Sequence, residues 1–176
     1  MTHPRNDGNM VDKDEARTPP SLFKKLDDRF HFHLDVCATQ DNALCQAYFT
    51  KEGNCLAIDT WIDDDYDDDD YLIADGINTF FCNPPYSNPE PFICKAYEES
   101  LKGATVVMLL PADTSTKVFH YYTMKASEII FIEGRVRFNN PDGTPMKGSP
   151  KFGSMVVVFK QEEFDGSPVI SSMGWR

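Results

Sequence analysis

Thr105-Val106-Val107-Met108-Leu109-Leu110-Pro111 decides the fold of this 176-residue chain. The run from Val106 to Leu110 is apolar without interruption, as expected of a central parallel strand covered on both faces, and Pro111 has no N–H to continue a ladder. Reading backwards, Asn88 is a candidate cap for a helix with Pro89 and Pro91 in its first turn. Phe92, Ile93, Ala96 and Tyr97 form its core face, and it stops near Gly103. Before it, Thr79-Phe80-Phe81 is β-branched and aromatic and suits a buried strand, which the consecutive Pro84 and Pro85 must end. Reading forwards, Val118, Phe119, Tyr122 and Met124 predict a helix over 114–125, and Glu128 to Ile132 a strand.

The outer parts extend the pattern. Thr18-Pro19-Pro20-Ser21 precedes Leu22, Phe23, Leu26 and Phe30, whose spacing predicts an amphipathic helix ending near Phe30. His31 to Cys37 alternates as a strand with Asp35 at its end, and Asp41 or Asn42 is placed to cap a short helix through Tyr48. At the other end, Arg135-Val136-Arg137-Phe138 and Ser154 to Phe159 flank a Gly- and Pro-containing loop and predict a long antiparallel hairpin. Strands alternating with helices imply a three-layer α/β domain with a mainly parallel sheet and a C-terminal antiparallel hairpin. The expected organisation is a flexible N-terminal segment over 1–17, one domain over 18–160 and a tail over 161–176. Ligands of such sheets bind beyond the carboxyl ends of the strands, where Asp35, Asn83 to Tyr86 and Pro111 to Thr114 are all predicted to lie.

Composition narrows the class. With 41% apolar and 12% aromatic residues the chain can form one ordinary globular core. No run has the length of a membrane span, and Met1 to Arg17 lacks the apolar centre of a secretory signal, so the cytoplasm is the expected compartment with no membrane partner. The five cysteines, Cys37, Cys45, Cys55, Cys82 and Cys94, show no C-x-x-C pair and read as reduced core thiols. His31 and His33 lack further ligands of a zinc site, so no metal is expected. A net charge of −11 argues against a nucleic-acid partner, but its distribution does not. Residues 1–100 hold 8 basic and 21 acidic side chains, residues 101–176 hold 9 and 7. Seven aspartates between Asp63 and Asp70 make 62–71 an acidic loop, solvated and self-repelling, without the glycine and terminal glutamate of a calcium loop.

The chemistry concentrates in Asn83-Pro84-Pro85-Tyr86. An amide at a strand end, carbonyls held stiff by proline rings and a neighbouring phenol form a flat, acceptor-rich surface suited to an amino-substituted aromatic ring. In this setting Asn-Pro-Pro-Tyr resembles the S-adenosylmethionine-dependent amino-methyltransferases, and further pieces of the chain resemble the phage DNA N6-adenine methyltransferase family in particular. They include Thr18-Pro19-Pro20-Ser21-Leu22-Phe23, Leu34-Asp35-Val36-Cys37-Ala38-Thr39, Leu56-Ala57-Ile58-Asp59-Thr60-Trp61, Leu109-Leu110-Pro111-Ala112-Asp113-Thr114 and Phe131-Ile132-Glu133-Gly134-Arg135, in the family's order from about Thr18 to Phe159.

The resemblance implies a Rossmann-like methyltransferase fold, S-adenosylmethionine as cofactor and double-stranded DNA as partner, with no obligate protein partner evident. It assigns Asn83 and the Pro84 carbonyl to the adenine amino group, Pro85 to the same rigid tip and Tyr86 to stacking on the base. For the cofactor it implies Thr18, Pro19, Asp35, Ala38, Asp59 and Asn83, although Val36-Cys37-Ala38-Thr39 stands where a glycine-rich loop is usual. DNA contact is expected on the predicted hairpin, at Arg135, Arg137, Lys147 and Lys151, with Asn139 or Asn140 reaching base edges. Cytosine N4, RNA adenine and protein glutamine offer the same conjugated amine and are alternative substrates, and a non-catalytic acidic DNA mimic is an alternative of another class.

Overall fold

The structure, a computed structural model, describes residues 13–62, 78–147, 150–161 and 166–176. The aspartate block at 63–70 lies outside the described residues. In chain order the elements are helix α1 (Pro20–Phe30), strands β1 (Leu34–Asp35), β2 (Ala47–Tyr48) and β3 (Thr79–Cys82), helix α2 (Glu90–Leu101), strand β4 (Thr105–Pro111), helix α3 (Lys117–Tyr121) and strands β5 (Glu128–Glu133), β6 (Ser154–Phe159) and β7 (Val169–Gly174). Among the described residues these strands form one sheet in the order β2-β1-β3-β4-β6-β5-β7. Strand β6 is antiparallel to its neighbours β4 and β5, and every other pairing is parallel.

Alternation of side chains across the pleat divides the core in two. Phe80, Cys82, Val106, Met108 and Leu110 face α2 and α3, packing with Ile93, Ala96, Val118 and Phe119. Phe81, Val107 and Leu109 face the other way, onto Leu22 and Leu26 of α1 together with Val136, Phe138 and Trp175. The uninterrupted apolar run of β4 is thereby explained: its odd and even positions belong to different cores. Helix α1 begins with Pro20 at its first position, where a missing N–H is harmless, and the Pro19 carbonyl accepts from Leu22 and Phe23 at 3.0 and 3.1 Å. It stops at His31, a left-handed residue (φ 54°) whose N–H caps Asp27, while the Asp27 carboxylate accepts the Phe32 N–H at 2.9 Å.

Several sequence expectations change. The predicted helix over 41–48 is a turn, because the Asn42 side chain accepts the Thr39 N–H at 2.6 Å instead of capping a following helix, and Ala47–Tyr48 joins the sheet as β2. Asn88 makes no cap for α2, whose N-cap is Pro89; its own N–H goes to the Pro85 carbonyl at 3.2 Å. The helix expected over 114–125 splits into α3, capped by the Thr116 hydroxyl, and a short 3-10 turn over Thr123–Lys125. Arg135 to Phe138 alternates in burial but forms no strand, so the antiparallel partner of β6 is β5 on one side and β4 on the other. The C-terminal residues read as a tail contribute β7, in parallel register with β5 from Glu128↔Val169 to Glu133↔Gly174. Residues 13–17, read as part of a flexible segment, contain a 3-10 turn and a two-way backbone bridge between Arg17 and Asn139. Among the described residues no helix is long and apolar enough to cross a membrane.

Candidate active site at the carboxyl edge of the sheet

Strand β3 ends at Cys82, and Asn83 projects from the next position before Pro84 and Pro85 turn the chain away. Its Oδ1 is buried and has no hydrogen-bond partner among the described residues, while Nδ2 stands 3.5 Å from the Ala16 carbonyl. Tyr86 lies in an aromatic cluster, edge-on to Phe138 (5.7 Å, 89°) and to Phe152 (5.7 Å, 66°). Its hydroxyl is also buried without a partner among the described residues, and burial pushes the phenol well above its ordinary range. Ser154 Oγ, at the start of β6 opposite Pro111, is a further buried oxygen without a partner among the described residues. Leaving such a group unpaired costs about 1–3 kcal/mol, so a cluster of them on one edge of a sheet is a place shaped for a polar ligand.

The first strand brings a carboxylate to the same edge. Asp35 pairs with Phe81 in register, and the Val36 N–H donates to the Phe81 carbonyl at 2.9 Å, so the chain leaving β1 runs beside the chain leaving β3. Asp35 is 3% exposed and burial raises its carboxyl from the usual 3.8 to about 6, against the opposing N–H donors of Cys37 and Leu44. Ala38 is buried and bonds to the Phe49 carbonyl at 3.1 Å. Thr18 and Pro19 are buried just after the bridge from Arg17 to Asn139. Cys37 and Cys82 approach to 3.7 Å between sulfurs, both with thiols pushed up, and the described cysteines are free.

Asp59 stands apart from this group. Its side chain is exposed, and its carbonyl is taken by Lys95 and Lys102 of the α2 region, at 2.8 and 2.5 Å. Those lysines belong to a network the sequence reading did not identify. Glu99, fully buried, is paired with Lys95 at 2.8 Å and Lys102 at 3.2 Å and accepts from Thr60 Oγ1 at 2.8 Å and the Trp61 N–H at 2.9 Å. Burial alone would raise its carboxyl; those donors outweigh it and hold the group below the usual range. The spacing of Lys95, Glu99 and Lys102 on one helix face was the available signal.

Of the basic residues, Arg135, Arg137, Lys147 and Lys151 are all exposed in the segment joining β5 to β6. Val136 and Phe138 point into the core between and beyond the arginines, which turns both guanidinium groups outward. Asn140 is engaged within its own turn, its Nδ2 reaching Thr144 Oγ1 at 3.0 Å, so that amide is not free for a base edge. Beside the tip, Tyr86, Pro89, Ile93, Leu110, Pro111, Asp113 and Thr116 contribute to a cavity of about 210 Å³. A larger hollow of about 500 Å³ lies at the opposite edge, among Arg29, Thr79, Thr105 and Glu128 at the amino ends of the strands, remote from every orphaned oxygen. Arg29 is already paired there with Glu128 at 2.6 Å.

The family profile described as DNA N-6-adenine-methyltransferase (Dam) matches residues 7–172. A protein of Haemophilus phage HP1 (strain HP1c1) named DNA N-6-adenine-methyltransferase is 36% identical over 165 residues, covering 89% of this chain and 84% of the phage protein. One of the same name from Escherichia phage T1 is 33% identical over 167 residues, covering 85% of this chain and 63% of that protein. No solved structure matches. An Asn-Pro-Pro-Tyr tip with its acceptor oxygen unpaired, on a sheet of this kind and within an alignment spanning nearly the whole chain, places the protein in the Dam family of DNA N-6-adenine-methyltransferases.

Proposed function

We propose that this chain transfers a methyl group from S-adenosylmethionine to the N6 amino group of an adenine flipped out of double-stranded DNA, and that it protects phage DNA from host restriction. The observation that carries the reading is the buried, unpartnered Asn83 Oδ1 at the mouth of the tip. An adenine amino lone pair is delocalised into the ring, and an acceptor that draws its hydrogens toward a pyramidal nitrogen releases the pair for attack. Asn83 Oδ1 and the Pro84 carbonyl supply that acceptor pair, and the proline rings stiffen the backbone that carries them. Tyr86 offers a ring face and the neighbouring cavity of about 210 Å³ offers space for a base. We take the sheet as the Rossmann-like scaffold of such enzymes, with β6 as its reversed strand.

The residues of the edge fit the methyl donor. A buried carboxylate raised to about 6, as at Asp35, is relieved by a cationic ligand, and in this reading Ala38, Thr18, Pro19 and Asn83 join it in holding the donor. Asp59 would reach the donor from the segment held by Lys95 and Lys102. The donor supplies an already activated sulfonium methyl, so the protein needs no strong base; it aligns the amine, and alignment alone supplies about 7–11 kcal/mol in favourable cases. In this reading Arg135, Arg137, Lys147 and Lys151, all exposed, would take phosphates of the DNA.

Incubation with tritiated S-adenosylmethionine and unmethylated duplex DNA, followed by digestion to nucleosides, tests the reading. N6-methyladenine is the expected product. Label recovered in N4-methylcytosine, in RNA or in protein glutamine, or no label across a range of salt concentrations, overturns it.

A further inference from the structure

The residues before Thr18 do more than lead into the fold. The Asp14 carboxylate accepts two donors from Ser87, the residue directly after Tyr86: the backbone N–H at 2.9 Å and the hydroxyl at 2.5 Å. Two residues on, the Ala16 carbonyl faces Asn83 Nδ2 at 3.5 Å. Arg17 then exchanges both backbone hydrogen bonds with Asn139, each at 2.9 Å, and its guanidinium donates to the Asp41 carbonyl at 2.9 Å. The segment therefore bridges the tip, the loop after β1 and the segment joining β5 to β6.

We propose that Asp14–Arg17 is a positioning strap for the catalytic amide, anchored on the tip by Asp14; the inference rests on the methyl-transfer reading. The two ends of an asparagine amide have nearly the same shape, and the proposed chemistry works only if oxygen faces the substrate amine. A carbonyl at the far end repels Oδ1 and attracts Nδ2, so Ala16 selects the productive orientation. At 3.5 Å the contact acts through the carbonyl dipole more than through a strong hydrogen bond. Ala16 holds that place only while its neighbours are tied down, Asp14 to Ser87 on one side and Arg17 to Asn139 on the other. Asp14 and Ser87 are both exposed, so cutting their link opens no cavity in the core.

The test compares wild type with Asp14→Ala, Asp14→Asn, Ser87→Ala and the double variant Asp14→Ala with Ser87→Ala, measuring adenine methylation in duplex DNA. Asp14→Ala lowers kcat by about tenfold to 100-fold, the scale of a small misplacement, with KM for DNA, cofactor affinity and Tm near those of wild type. Asp14→Asn, keeping one acceptor, recovers part of the loss, and the double variant is no worse than Asp14→Ala because both changes cut one link. An unchanged kcat, additive losses in the double variant, or a parallel fall in Tm and cofactor affinity overturns the strap. A readout without turnover separates this from the parent reading: in 15N-labelled protein the Asn83 side-chain amide gives one sharp resonance pair, which broadens or doubles in Asp14→Ala. If wild type methylates no adenine, the functional reading falls, and the resonance pair still decides the strap; a pair unaltered by Asp14→Ala overturns it.

Discussion

Glu99 on α2 and Asn83 after β3 both place acceptor oxygens in the interior, yet Glu99 is met by Lys95, Lys102, Thr60 and the Trp61 N–H, while Asn83 Oδ1 is met by nothing among the described residues. The first site is complete as the chain folds. Its carboxylate has no acceptor capacity to offer and its work is to hold the 58–61 segment against α2. The second is incomplete, and the unpaired hydroxyls of Tyr86 and Ser154 share its edge. A fully engaged buried charge marks architecture, whereas neutral polar atoms left waiting at a strand end mark a place where a ligand finishes the structure.

The contrast can be broken by mutation. Glu99→Ala leaves Lys95 without its buried partner and lowers stability by about 3–5 kcal/mol, read as a fall in Tm of roughly 10 °C, with activity per folded molecule retained. Asn83→Ala should do the reverse: methyl transfer falls by about 10²–10³-fold, the scale of losing a transition-state hydrogen-bonding group, while Tm holds or rises and cofactor still binds by calorimetry. Should Asn83→Ala unfold the protein as Glu99→Ala does, the two sites are alike and the distinction collapses.

Asp35 sharpens the comparison through pH. Its folded carboxyl is raised from 3.8 to about 6, so the stability it contributes is fully present below about 3.8 and is lost as pH rises through about 6. In the ligand-free protein at pH 7, Asp35→Asn removes a penalty of at most about 3 kcal/mol, whereas at pH 3.5 it changes little; denaturant midpoints at the two pH values measure this. The same variant weakens binding of the cationic donor. Tyr86→Phe is the smallest change: it deletes a buried hydroxyl with no partner among the described residues and raises ligand-free stability by about 1 kcal/mol, with stacking retained. Destabilisation by Tyr86→Phe would reveal a partner for that hydroxyl.

The central sheet was legible because burial on both faces leaves an unbroken apolar record, as in β4, and because two prolines after Phe81-Cys82-Asn83 can only end a strand. The position of the tip at a strand end was legible for the same reason, being set by adjacent residues. What escaped depended on distance along the chain. Strand β7 carries Ser171 and Ser172 at its centre and draws its ladder from β5, so its own pattern is weak. Arg135 to Phe138 does alternate inward and outward, but alternation records burial and not a ladder partner. Asp14 and Ser87 meet across 73 residues, with no local feature to announce the pair.

The reversed direction of β6 has one more consequence. Because β5 runs toward the edge that carries Asn83 and β6 returns from it, the described residues between them leave and re-enter the sheet on that edge, with both ends fixed. Closing a longer segment between fixed ends grows costlier only logarithmically, about 0.6 kcal/mol for each doubling. Length can therefore be added to this segment at little cost to the fold, provided Val136 and Phe138 keep their places in the core and Asn139 keeps its bridge to Arg17.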